Sequence, residues 1–137
     1  MISAVSLTRV FVNDQQVALE FYTEKLGLQK IQDEPYDEGT RWITVSPVGA
    51  KIRILLEKAE QDHEKTQVGR SDEGPVMVLG TNDVLAAYEE LRKRGVRFTG
   101  EPYRSPWGFG VVLLDQDGTP IYLLQEEPEE RYQERYE

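Results

Sequence analysis

The chain contains a weak internal duplication, and few folds accommodate one. Asn13-Asp14 opens a stretch that closes on Lys25-Leu26-Gly27-Leu28. At an offset of 69 residues, Asn82-Asp83 opens a similar stretch that closes on Lys93-Arg94-Gly95-Val96, one residue shorter. The same offset carries Gly49 onto Gly118, Ile52 onto Ile121 and Leu55 onto Leu124. That period is too long for a solenoid unit and occurs only twice, so the sequence predicts two pseudo-symmetric modules.

Each copy holds one helical pattern. Val84, Ala87, Tyr88 and Leu91 fall at i, i+3, i+4 and i+7, and Val17, Ala18, Phe21 and Tyr22 offer the matching stripe in the first copy. Asp or Asn at the start can accept from the free amides of the first turn, and the closing glycine tolerates a left-handed cap. A strand-like run precedes each helix (Val5–Val12, Val76–Gly80). More follow it: Leu28–Glu34, Thr40–Ser46 and Ile52–Glu57, then Arg97–Arg104, Gly110–Leu114 and Pro120–Leu124. Pro47-Val48-Gly49 and Gln116-Asp117-Gly118-Thr119 read as hairpin turns. The expected fold class is α+β, with the element order βαβββ occurring twice. The boundaries expected are one domain over residues 1–125, with module one at 2–57, a polar linker at 58–74 and module two at 75–125. An acidic tail follows at 126–137.

The 137 residues carry 39% hydrophobic side chains and a formal charge of −9. That balance suits a globule with a core and opposes partners that are themselves anionic, so neither nucleic acid nor a membrane surface is expected. The tail accounts for six glutamates against two arginines. There is no cysteine, hence no disulfide and no thiolate ligand. Met1–Val5 lacks a basic segment followed by an apolar run, and the location expected is cytoplasmic.

Asp14, Phe21-Tyr22 and Leu26-Gly27, on a duplicated βαβββ chain, resemble the first-module signature of the vicinal oxygen chelate superfamily. Pro106-Trp107-Gly108 followed by Asp115-Gln116-Asp117-Gly118 is similar to its second-module pattern. This superfamily includes glyoxalase I, extradiol dioxygenases, fosfomycin-modifying enzymes and bleomycin-resistance proteins. The resemblance covers residues 2 to about 125 and implies cupped sheets, a ligand cavity and a homodimer. Its catalytic members hold a divalent cation through His, Glu or Gln on the first and last strands of each module. Carried onto this chain, those positions are Leu7, Arg53, Val76 and Tyr122, again 69 apart in pairs. Leucine and valine have no lone pair to offer, arginine carries a permanent positive charge, and one tyrosine cannot assemble a site. The single histidine, His63, lies in the linker. No metal and no other cofactor is expected, and metal-dependent glyoxalase or dioxygenase activity is disfavoured.

Without an ion the cup becomes a site for a small organic ligand. Strand alternation puts Leu7, Arg9 and Phe11 on one face of the first strand and Val10 and Val12 on the other, under the helix. The ligand-binding set expected is Arg9, Trp42, Arg53, Trp107, Phe109 and Tyr122, with Trp107 and Phe109 on a loop punctuated by Pro and Gly. Each has a plainer reading: Trp42 as core, Trp107 as a cover over a sheet end, and Arg53 as the partner of a glutamate such as Glu57 or Glu101. The function that follows is a metal-free small-molecule-binding protein, sequestering an antibiotic or toxic metabolite, with the acidic surface favouring a cationic one. The alternative is a cofactor-free lyase or isomerase in which Arg53 stabilises an oxyanion and Tyr122 moves a proton. A third reading is a structural or regulatory dimer whose cup is filled by its own side chains.

Overall fold

The structure, a computed structural model, describes residues 1–70 and 74–126. The acidic tail beyond Glu126 lies outside the described residues. The chain clusters into two compact units: residues 1–74 together with the turn 115–119, and residues 75–114 together with the strand that begins at Pro120.

In the first unit the order is β1 (Leu7–Val12), α1 (Gln15–Glu20), a π-helical turn (Phe21–Lys25), β2 (Gln29–Asp37), β3 (Thr40–Ser46) and β4 (Arg53–Lys58). The strands form one sheet in the order β1-β4-β3-β2, with β1 parallel to β4 and the other pairs antiparallel. Asp14 caps α1, its carboxylate accepting from the Val17 amide at 3.0 Å. The Thr23 hydroxyl donates to the Leu19 carbonyl at 2.7 Å, and the Leu26 amide reaches back five residues to Phe21. A side chain on the carbonyl ladder at the start of a π turn is a known way to widen a helix.

The buried stripe of this helix is not the one expected. Val17 is exposed, and the buried positions are Gln15, Ala18, Leu19 and Tyr22. The spacing is still i, i+3, i+4, i+7, but a polar residue opens it. The Gln15 amide donates to the carbonyls of Arg41 and Leu56 at 2.7 and 2.8 Å and accepts from the Arg41 amide at 2.9 Å. It thereby satisfies backbone groups of β3 and β4 and ties α1 to both strands. Beneath the helix lie Val10, Val12, Ile43, Val45, Ile54 and Leu56, all buried. On that same face Arg41 forms a two-point pair with Asp33, at 3.0 and 2.6 Å. The segment expected to be a linker opens with the last residue of β4 and contains one helical turn, α2 (Asp62–Lys65). A capping box between Gln61 and Glu64 closes it.

The second unit repeats the plan: β5 (Val78–Thr81), α3 (Val84–Lys93), β6 (Arg97–Phe98), β7 (Tyr103–Ser105), β8 (Gly108–Leu114) and β9 (Pro120–Gln125). Its sheet runs β5-β9-β8-β6, with β7 also on β8. The single strand expected over 97–104 is two short ones, because Gly100 and Pro102 interrupt it and proline has no amide for the ladder. Val84 and Leu91 of α3 and Val111, Leu113, Ile121 and Leu123 of the sheet form the core.

The two modules are less regular copies than the sequence indicates. Leu7 pairs with Arg53, so the fixed offset predicts that Val76 pairs with Tyr122. Instead Val78 does. Two single-residue losses account for this, one at the helix end (Gly27 against Gly95) and one in the last hairpin (47–52 against 115–119). A net slip of two keeps every side chain on its original face, which is why the slip is tolerated.

Asp115 organises the turn 115–119. Its carboxylate is buried and accepts from the amides of Asp117 and Thr119, both at 2.9 Å, and from the Tyr22 phenol at 2.8 Å. Burial pushes the Asp115 carboxyl above its usual range despite these donors, and burial with the neighbouring Asp115 charge pushes the Tyr22 phenol well above its own. The motif residue from Asp115 is thus a structural hub of the first unit.

Two stability measurements check this account. Asp115→Ala is expected to cost about 2–4 kcal/mol in urea denaturation, since it strands a buried amide, a part-buried one and a buried phenol, while Tyr22→Phe costs about 1–2 kcal/mol. The Arg41 hydrogen bonds hold Asp33 below the ordinary carboxylate range. The stability that Asp33 contributes is therefore present above its unfolded pKa and lost as pH falls through the folded one. Thermal melts between about pH 5 and 3 should show a shallower acid decline for Asp33→Asn than for the parent.

Candidate functional site

The face of the first sheet turned away from α1 carries Leu7, Arg9 and Phe11 from β1 and Arg53, Leu55 and Glu57 from β4. Trp42 and Thr44 of β3 and Gln32 and Glu34 of β2 complete it. Its centre is a single atom. The Gln32 side-chain oxygen accepts from the Trp42 indole at 3.1 Å, the Thr44 hydroxyl at 3.0 Å and the Arg53 guanidinium at 2.7 Å. Three converging donors settle which end of the amide points inward, because the NH2 group could accept none of them.

Arg9 donates to Glu57 at 3.0 Å, and its guanidinium lies 5.6 Å from the Phe11 ring centroid. Pairing of Arg53 with Glu57 is therefore corrected: Arg9 holds that carboxylate. No ion pair of Arg53 is found among the described residues. Trp42 is half-buried, tilted against Tyr36 at 5.9 Å, and lines a cleft of about 110 Å³ with Leu55, Glu57, Glu60 and Glu64. A neighbouring depression of about 230 Å³, lined by Asn13, Asp14, Gln16 and Lys58 among others, lies at the start of α1.

Tyr122 shares a face with Val78, Val112, Gly110 and Tyr103, its ring 6.4 Å from that of Tyr103. The Tyr122 hydroxyl is buried and has no hydrogen-bond partner among the described residues. Gly110 makes room for the ring: a Cβ there would lie 2.5 Å from the phenol oxygen and 2.6 Å from the Leu123 carbonyl. Phe109 is not a loop residue. It belongs to β8, pairs with Arg104, and has that guanidinium 4.8 Å from its ring. By alternation it shares the helix-side face of Val111 and Leu113, opposite to Tyr122, so the two cannot line one surface. Trp107 sits in the turn between β7 and β8 and is 61% exposed.

Of the six residues expected to bind ligand, the structure gathers Arg9, Trp42 and Arg53 on one face of the first unit. Trp107, Phe109 and Tyr122 lie on three different surfaces of the second. The residue that sequence reading missed is Gln32. Only its register against Thr44 singles it out, and that register follows a bulge at Ile31 which the sequence does not announce. No group of three or more His, Cys, Asp or Glu side chains that could hold a metal ion is found among the described residues. His63 is exposed on α2.

Paired βαβββ units of this kind define a class of small α+β proteins, and comparison with known proteins places the chain within it. The sequence profile of the Glyoxalase/Bleomycin resistance protein/Dioxygenase superfamily matches residues 4–123. The chain belongs to that superfamily. It is 33% identical to the uncharacterized protein YetH of Bacillus subtilis (strain 168), over 92% of this chain and 100% of that protein. Among solved structures it is similar to UcmS2, with 30% identity and a TM-score of 0.81 over 92% of this chain and 100% of the other. It is also similar to TnmS3, an antibiotic binding protein from Streptomyces sp. CB03234, with 35% identity and a TM-score of 0.78 over 92% and 98% of the two chains. No helix among the described residues is long and apolar enough to cross a membrane.

Gln32→Ala tests the hub. It leaves the Thr44 hydroxyl and the Trp42 indole without an acceptor and is expected to cost about 1–3 kcal/mol in chemical denaturation. A changed Trp42 emission maximum in the folded state should accompany the loss.

Proposed function

We propose that this protein binds and sequesters a small organic molecule on the face of its first sheet turned away from α1, without a metal ion, and works as a homodimer. The observation that carries the reading is the convergence of Trp42, Thr44 and Arg53 on the Gln32 oxygen. An aromatic ring and a guanidinium are held in fixed positions by a third side chain, on the face turned away from α1. Pre-positioned polar groups among aromatic and aliphatic ones are the usual make-up of a small-molecule site. Trp42 supplies a stacking surface and Arg9 and Arg53 supply polar anchors. The likeness to TnmS3, an antibiotic binding protein, supports the same class of ligand.

The metal-free part of the proposal rests on donor chemistry. Leu7 and Val76 have no ligating atom, and the Arg53 cation would repel an ion. Residues at these positions do not fit a divalent cation. Elemental analysis of protein purified without chelator is expected to find no stoichiometric Zn, Ni, Mn or Fe; one ion per chain would overturn it.

Binding is tested by tryptophan fluorescence against a panel of aromatic antibiotics that includes bleomycin, with Trp42→Phe and Trp107→Phe assigning the signal. Saturable quenching that Trp42→Phe removes is the expected result. A flat response across the panel would sink the sequestration reading. Light scattering on the same sample should return twice the chain mass of 15.8 kDa.

A further inference from the structure

Resting on that reading, we infer that the ligand of the first sheet carries an anionic oxygen group, a carboxylate or an equivalent such as a phenolate or phosphonate, which docks on Arg53 while its aromatic body lies against Trp42.

The whole chain is strongly acidic, at −9, yet the Arg53 guanidinium has no carboxylate beside it among the described residues. The nearest candidate along its own strand, Glu57, is occupied by Arg9. Arg53 is held instead by a neutral amide through one of its five N–H groups, at 2.7 Å. That amide oxygen already takes two other donors, so it cannot accept more. The guanidinium is half-buried, with Leu7 across from it in register and Leu55 two residues along on the same face. Aliphatic neighbours of this kind weaken solvent screening, which makes an unpaired cation costly and an incoming anion correspondingly favoured.

Geometry adds a second observation. The Trp42 indole nitrogen and the Arg53 terminal nitrogen lie 3.1 and 2.7 Å from the same oxygen, so they are within 5.8 Å of each other. One bicyclic aromatic acid can reach both. Its carboxylate would use the free edge of the guanidinium, where two parallel N–H donors suit two oxygens. The long-range field of an acidic surface favours cations, but it is screened over about 8–10 Å in physiological salt. The contact pair on the sheet decides selectivity.

Three probes that share a naphthalene body and carry one anionic, neutral or cationic substituent test this by isothermal titration calorimetry at about pH 7: 2-naphthoate, 2-naphthalenemethanol and 2-naphthylmethylammonium. Naphthoate is expected to bind about tenfold or more tighter than the alcohol, the scale of a charge-assisted hydrogen-bonded pair, with the ammonium weakest. Arg53→Gln and Gln32→Glu should each abolish the advantage of the acid over the alcohol, read as the ratio of the two affinities within each variant. The second variant keeps Arg53 and supplies it with an internal carboxylate, so a folding defect from losing the arginine is not confused with loss of the site. If the alcohol or the ammonium binds as tightly as the acid, or the acid keeps its lead in both variants, the anionic ligand is ruled out and the site itself stands. If none of the three binds, the site falls and this inference with it.

Discussion

A single helix can cover only one face of a four-stranded sheet, and the first unit is built around that constraint. Val10, Val12, Ile43, Val45, Ile54 and Leu56 go beneath α1, so the alternate residues of the same strands must face the other way. The side chains on that second face are not random leftovers. Thr44, Phe11 and Leu55 are buried there, while Arg9, Gln32, Trp42 and Arg53 retain access to solvent. The face has enough apolar surface to be ordered and enough polar groups to discriminate. Burial on one side thereby leaves a face of mixed polarity on the other.

Three buried or half-buried polar side chains hold this arrangement, each by meeting several partners at once. Gln15 satisfies backbone groups of two strands, Asp115 gathers two amides and a phenol, and Gln32 accepts from three side chains. The differences lie in charge and exposure. Gln15 is neutral and closed off, and it does structural work alone. Asp115 is ionisable and pushed toward its neutral form by burial. Gln32 is open on one side and holds the cation of Arg53 beside the indole of Trp42.

Much of this was legible beforehand. Helix-start aspartates, closing glycines and alternating strands located both modules, and strand parity alone assigned Leu7, Arg9 and Phe11 to the face opposite Val10 and Val12. The failures have identifiable causes. Phe109 was expected on a loop because Pro106 and Gly108 flank Trp107, yet the Pro-Trp pair completes a tight turn and the strand begins at Gly108 itself. Val17 was expected in the core because polar residues are not counted in an apolar stripe, whereas Gln15 is buried by its hydrogen bonds. The equivalence of Val76 with Leu7 opposite the last strand broke on two one-residue losses, each too small to disturb the pattern that revealed the repeat.

Local patterning determined the order of elements, the duplication and the face on which each strand residue lies, because these depend on periods of two and 3.6 that neighbouring residues express by themselves. Only the tertiary structure decided that Arg53 turns to Gln32 rather than Glu57, that Arg9 claims that glutamate, and that Tyr122 stands opposite Val78. Those outcomes are contests among groups far apart in the chain. Bulges and single-residue slips in strand register settle them, and neither leaves a local trace.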